Sequence, residues 1–160
     1  MELRTFLLVL AAASASFGQT LTVSSATAER GKPVDVDLTF AGGTPASATA
    51  LEWVVSYPNE LTLLATGPAA GMVLQAAGKS LTCRGNWKKA PSIYSYHCVL
   101  AGGRTTVPDG VVATLHFQVK PSVKGGVRNV DLDDFSAVTV DAKKVQVKKA
   151  SGKLTITDAK

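Results

Sequence analysis

The chain has 160 residues, of which 46% are hydrophobic and 18% are charged, and its formal net charge is +5. This length and composition predict one globular domain and exclude an intrinsically disordered chain. The charge is only mildly basic and no nucleic-acid-binding motif accompanies it, so nucleic acid is not an expected partner.

The first 18 residues have the pattern of a secretory signal peptide. Arg4 precedes an apolar run, Phe6–Ala13, and small residues including Ser16 lead to Gly18. An apolar run of about 8–10 residues is well short of the roughly 18 needed to span a bilayer. We therefore expect cleavage after Gly18, a mature domain over residues 19–160, an extracellular or periplasmic location and no membrane span.

Apolar residues alternate with polar ones through most of the mature chain, and helical periodicity is nearly absent. In Val34–Phe40, for example, valine, leucine and phenylalanine alternate with aspartate and threonine, which predicts one buried face and one wet face. Loops are expected at Pro68–Gly78 and Asn86–Pro91. The predicted strands are Leu21–Ala26, Val34–Phe40, Ala48–Tyr57, Leu61–Thr66, Leu81–Gly85, Ile93–Ala101, Val111–Lys120, one or two in Val127–Val140, and Val145–Thr157. About nine short strands predict an all-β fold, an antiparallel β-sandwich of jelly-roll or immunoglobulin-like type.

The two cysteines, Cys83 and Cys98, are predicted to form a disulfide bond. An exported protein meets an oxidising environment, where paired cysteines are normally oxidised. Zinc would need about four ligands, and only His97 lies beside a cysteine. Closing a loop of about 15 residues would stabilise the fold by about 3 kcal/mol in the loop-entropy description.

No pattern of catalytic or cofactor-binding residues stands out. The two histidines, His97 and His116, lie on predicted strands without a nucleophile motif nearby. The segment Gly78–Ser80 resembles the end of a phosphate-binding loop, but Val73 stands where that motif needs glycine. We expect neither catalysis nor a cofactor.

Three acidic residues, Asp131, Asp133 and Asp134, suggest calcium, but they lack the glycine and glutamate of an EF-hand loop. A solvated strand face is the favoured interpretation, and one carboxylate site at an edge of the sandwich is the alternative.

Lysines gather late in the chain, as at Lys148 and Lys149. Protection of an exposed sheet edge explains them, and a basic face for acidic polymers is the alternative.

Aromatic residues are candidate contacts for a sugar or a protein partner. Trp87 lies in the polar stretch Gly85–Lys89, and Tyr94 and Tyr96 share one face of their strand. Either the tyrosines pack in the core and Trp87 covers one end of the sandwich, or Trp87 with Lys88 or Lys89 contacts a partner or glycan.

Two stretches together resemble a known family. They are LEWVVSYPNELTLL at Leu51–Leu64 and GVVATLHFQVKPSVKGG at Gly110–Gly126. In this order, and with the closing GKLTI, they are similar to the cohesin domain over roughly Leu21–Thr157. Cohesins are secreted β-sandwich modules that hold dockerins in cellulolytic assemblies, and they share a superfamily with several carbohydrate-binding modules.

The resemblance implies a non-catalytic binding module, associated with polysaccharide degradation or surface assembly, whose partner is a dockerin-like protein or a polysaccharide. It places Leu51, Trp53, Val55 and Tyr57 in the core. It turns Glu52, Val54 and Ser56 outward, on the surface that cohesins use for dockerin. These three residues and Trp87 are the candidate partner-binding residues. A carbohydrate-binding module and a structural subunit of an envelope assembly are the alternatives.

Overall fold

The structure, a computed structural model, describes residues 18–65 and 67–158, and only the backbone of residues 86–89. The expected signal peptide, apart from Gly18, lies outside the described residues, so its cleavage stays a prediction. In the described part of the chain, no helix has the length and apolar character needed to cross a bilayer.

Two six-stranded sheets pack face to face, which confirms the predicted all-β sandwich. The first sheet has the order β11-β1-β3-β9-β5, with β6 also paired to β9, and the second has the order β2-β12-β10-β4-β8-β7. The elements are β1 Gln19–Val23, β2 Ala26–Glu29, β3 Pro33–Ala41, β4 Ala50–Pro58, β5 Leu61–Leu63, β6 Ala69–Ala70, α1 Val73–Ala76, β7 Ser80–Ala90, β8 Ile93–Ala101, β9 Gly110–Val119, β10 Gly126–Val138, β11 Val147–Ala150 and β12 Gly152–Thr157.

The strand count differs from the prediction mainly because the two terminal strands each divide. The segment predicted as Leu21–Ala26 forms β1 in the first sheet and β2 in the second, and Val145–Thr157 divides into β11 and β12 in the same way. The two segments therefore pass together from one sheet to the other. Alternation along a sequence does not reveal such a change of sheet, because both halves keep one buried face.

Two further boundaries were wrong. The expected loop Asn86–Pro91 is largely strand, since β7 continues to Ala90 by pairing with β8. The expected loop Pro68–Gly78 contains the short β6 and α1. This segment is rich in small residues and shows no hydrophobic periodicity, so the sequence predicted neither β6 nor α1.

The sandwich is not wholly antiparallel. β1 pairs with β11 in parallel, and β2 pairs with β12 in parallel. The other strand pairs of the described residues are antiparallel. Pairing direction depends on residues more than a hundred positions apart, which local alternation cannot report.

The core residues predicted on β4 are confirmed. Leu51, Trp53, Val55 and Tyr57 are buried, and Trp53 has no exposed surface. The inward residues of β9, such as Phe117, face them from the first sheet.

The predicted disulfide is also present. Cys83 on β7 and Cys98 on β8 are bonded directly across the two strands, with 4.1 Å between their Cα atoms. Cys98 has no exposed surface. The bond therefore ties the edge strand β7 to the body of the second sheet.

Lys79, from the segment that resembled a phosphate-binding loop, points into the protein. It is 6% exposed. Its Nζ donates to the carbonyl oxygens of Thr49 at 2.8 Å, Gly102 at 2.6 Å and Thr105 at 2.5 Å. This ammonium joins the start of β4 to the loop after β8, so its role is structural.

The lysines of β11 lie at an edge of the first sheet, where Lys148 and Lys149 are exposed. This position fits the expected protection of an open sheet edge.

Candidate functional site

The candidate site is the outer face of the second sheet, meaning the side of β10, β4, β8 and β7 that points away from the core. Because side chains alternate along a strand, the burial of Leu51, Trp53 and Val55 turns Glu52 and Val54 to this side. Glu52 is exposed and Val54 is half-buried. Both positions agree with the sequence prediction.

Strand register determines the neighbours of these two residues. Glu52 lies between Ser136 of β10 and Val99 of β8. Val54 lies beside His97 of β8, and His97 lies beside Arg84 of β7. Val99 is 41% exposed. Valines thus lie directly beside polar and charged side chains on this face.

Glu52 is held by its neighbours. Its Oε1 lies 2.6 Å from His97 Nε2, and its Oε2 accepts a hydrogen bond from Ser136 Oγ at 3.4 Å. The side chains of His97 and Glu52 are 37% and 51% exposed. Both remain accessible, so a partner can contact them without unfolding the sheet.

A β-bulge in β10 makes the outer face uneven. Leu132 pairs with Val55 and Phe135 pairs with Trp53, so Asp133 and Asp134 together lie opposite Val54. An extra residue stays unpaired, bends the strand locally and increases its twist. A cavity of about 380 Å³ lies here, and its lining includes Glu52 and Asp134.

Ser56 corrects the prediction in part. It is only 4% exposed, although it is on the outward side of β4. It lies between Asp131 of β10 and Ser95 of β8, and Ser95 is buried as well. It is among the residues that line a second cavity, of about 480 Å³. Ser56 therefore shapes the surface more than it presents a side chain to a partner.

Trp87 stays a prediction. Its backbone pairs with Ser95 after an irregularity in β7, which places it at the outer strand of the same sheet. Its side chain lies outside the described residues.

Sequence reasoning missed His97, Val99, Ser136 and Asp134 as members of this face. The position of His97 could have been predicted in part. If Cys83 and Cys98 are bonded across neighbouring strands, Arg84 and His97 are aligned beside each other. The bulge of β10 had no comparable signal in the sequence.

Acidic and histidine side chains are the candidate ligands for a metal ion. Over residues 18–65 and 67–158, no three histidine, cysteine or acidic side chains are grouped to hold a metal ion. The alternative calcium site at Asp131, Asp133 and Asp134 thus has no support there. His116 lies on the first sheet, where its Nδ1 is 2.7 Å from Asp35 Oδ1.

Comparison with solved structures identifies the fold. A non-cellulosomal cohesin from the archaeon Archaeoglobus fulgidus has a TM-score of 0.72 and 17% identity, covering 88% of this chain and 91% of that one. A type I cohesin–dockerin complex from Clostridium thermocellum has a TM-score of 0.68 and 18% identity, covering 88% and 99%. A type II cohesin from the cellulosome of Acetivibrio cellulolyticus has a TM-score of 0.66 and 12% identity, covering 87% and 95%.

No family model and no curated protein matches the sequence. The structural matches nevertheless cover most of the chain, so it has the fold of cohesin domains. The resemblance stated from the sequence is confirmed at the level of fold.

Proposed function

We propose that this chain is a secreted, non-catalytic module that holds a dockerin-like protein partner on the outer face of the second sheet. The observation that carries the proposal is the exposed Glu52–His97 pair set among valines on an otherwise well-packed sheet. One of the similar structures is a complex of a cohesin with a dockerin, which supports a protein as the occupant.

The valines support a covered surface. Val99 is 41% exposed, and a shallow cavity of about 120 Å³ beside it is lined by Ala50, Glu52 and Val138 among others. Protein interfaces combine apolar contact area with a few polar groups that set orientation. This part of the face offers both.

The charges support selectivity. Glu52 and Asp134 line the cavity next to the bulge, whereas Arg84 lies on the far side of His97. Complementary charges across an interface mainly set orientation and rate of association. A partner with cationic groups toward β10 and an anionic group toward β7 would match this pattern.

The disulfide supports export. Cys83 and Cys98 are bonded, and structural disulfides persist mainly outside the reducing cytoplasm. An extracellular or periplasmic location is therefore part of the proposal.

Site-specific photo-crosslinking tests the proposal directly. A photoreactive residue replaces Val54, and a matched control replaces Thr39, which is exposed on the opposite sheet. Both variants are incubated with the exported proteins of the parent organism. We expect Val54, and not Thr39, to give one discrete product whose second component carries a dockerin-like sequence.

Other outcomes contradict the proposal. Equal labelling at Val54 and Thr39 would remove the outer face as the binding surface. A product containing two copies of this chain would favour the structural-subunit alternative. Retention on an insoluble polysaccharide that Trp87→Ala abolishes would favour the carbohydrate-binding alternative.

A further inference from the structure

The sequence contains two histidines, and each of them contacts a carboxylate. His97 Nε2 lies 2.6 Å from Glu52 Oε1 on the outer face of the second sheet, and His116 Nδ1 lies 2.7 Å from Asp35 Oδ1 on the first sheet. The two histidine side chains are 37% and 40% exposed. Histidine is the side chain whose charge ordinarily changes between about pH 5 and 8. Only one of the two histidines belongs to the proposed docking surface.

The contact with Glu52 determines which nitrogen of the His97 ring titrates. An ionised carboxylate can only accept hydrogen bonds, so His97 Nε2 carries a hydrogen and donates it to Glu52 Oε1. Nδ1 is then the atom that gains or loses the titrating proton. Among the atoms of the described residues, Nδ1 has no hydrogen-bond partner. Nδ1 is therefore an acceptor when the ring is neutral, and a donor on a cationic ring when it is protonated.

Charged groups surround His97 on three strands of the sheet. Glu52 of β4 contacts the ring, Arg84 of β7 lies directly beside it, and Asp134 of β10 lines the same cavity of about 380 Å³. Asp133, the other residue of the bulge, lines the neighbouring cavity. The next outward residues of β8 itself carry no charge. Protonation of His97 thus adds a positive charge between Arg84 and the acidic side of the face.

Protonation changes what the face offers to a partner in two ways. It converts the acceptor at Nδ1 into a donor, so a donor group of the partner loses its acceptor. It also places a positive charge against Glu52, which then attracts a cationic group of the partner less strongly. Both changes favour binding to the neutral ring.

We propose that His97 makes docking on the outer face pH-dependent, so that the face binds its protein partner in neutral or mildly alkaline medium and releases it in acidic medium. The inference rests on the proposed function, because it concerns the regulation of the same surface. A proton on His97 and the partner oppose each other. By linkage, the binding of the partner must therefore favour release of that proton.

The probe is the protein that crosslinking at position 54 identifies, purified and titrated onto the unmodified chain at constant ionic strength. We expect its affinity to fall about tenfold between about pH 8 and pH 5.5, where an imidazole ordinarily gains its charge. Calorimetry at an intermediate pH, in buffers of different ionisation enthalpy, should show that binding releases protons. Circular dichroism of the chain alone at both ends of the range checks that the fold is retained.

Two histidine variants locate the effect. His97→Gln retains a side-chain N–H group for Glu52 but carries no charge, so its affinity should change by less than about twofold over the same range. His116→Gln is the matched control, because His116 contacts Asp35 on the opposite sheet. This variant should retain the pH dependence of the unmodified chain.

Three results would overturn the proposal. They are an affinity that does not change with pH, an affinity that rises in acidic medium, and a fall that persists in His97→Gln. The last would place the titrating group in the partner or elsewhere in this chain. Binding that is independent of pH contradicts this inference alone and leaves the docking function intact, whereas a chain that captures no protein at any pH contradicts both.

Discussion

The side chains of Glu52 and His97 meet diagonally across β4 and β8, with 2.6 Å between Oε1 and Nε2. The residues directly opposite them are valines, because register pairs Glu52 with Val99 and His97 with Val54. The polar diagonal, Glu52 to His97, and the apolar diagonal, Val54 to Val99, therefore cross on the outer face. A partner that covers one diagonal must also cover the other.

The first prediction concerns binding by this face. Glu52→Lys combined with Val54→Lys should abolish capture of the protein partner, because it reverses one charge and places another where an apolar contact is expected. Affinity chromatography of the exported proteins on immobilised variants measures this. Thr39→Lys on the opposite sheet is the control and should retain capture. If capture persists in the double variant but is lost in Trp87→Ala, the binding site is at Trp87 and not at Glu52 and Val54.

The second prediction separates binding from stability at the same pair. Glu52→Gln should change the free energy of unfolding by less than about 1 kcal/mol, since exposed ion pairs contribute little. Partner affinity should nevertheless fall. Chemical denaturation and a binding titration of the same variant give the two values. A large loss of stability would indicate that the pair serves the fold.

The third prediction concerns the core. Trp53 is fully buried, so Trp53→Ala should lower the free energy of unfolding by about 3–5 kcal/mol. Its indole Nε1 has no hydrogen-bond partner within the described residues, so Trp53→Phe should cost clearly less than alanine. Trp87→Ala is expected to cost well under about 1.5 kcal/mol, a value typical of changes outside the core. Equal quenching of both indoles by acrylamide in the native protein would contradict the expected difference in burial.

The fourth prediction concerns Lys79. Lys79→Met keeps most of the side-chain volume but leaves the carbonyl groups of Thr49, Gly102 and Thr105 without their shared donor. The expected loss is about 1–3 kcal/mol, the range for an unsatisfied buried polar group. Lys153→Met, at an exposed lysine, should be nearly neutral in the same denaturation experiment. Similar values for both variants would show that the three carbonyls are satisfied in another way.

The fifth prediction concerns the disulfide. The exported protein should lose about two hydrogens in mass relative to its reduced form, because Cys83 and Cys98 form one intramolecular bond. Replacing both by alanine should lower stability by about 3 kcal/mol in the loop-entropy description. Two free thiols in the exported protein would contradict the expected oxidising compartment.

Much of the fold could be predicted because side chains alternate between faces along a strand. On β4 the resemblance to cohesins named the buried residues, including Trp53, and the same alternation is what turns Glu52 and Val54 to the other side. Alternation also identified β8 with its observed bounds, Ile93–Ala101. These are local properties of the chain, since each depends only on the order of apolar and polar residues within a few positions.

The rest depended on contacts between distant segments. The parallel pairing of the terminal strands, the bulge opposite Val54 and the meeting of Glu52 with His97 arise from register between strands. The burial of Ser56 arises in the same way. The side of each strand that faces the core follows from the order of residues, because side-chain direction has a period of two residues. Which side chains meet does not follow from that order, because pairing and register are set when distant strands pack together.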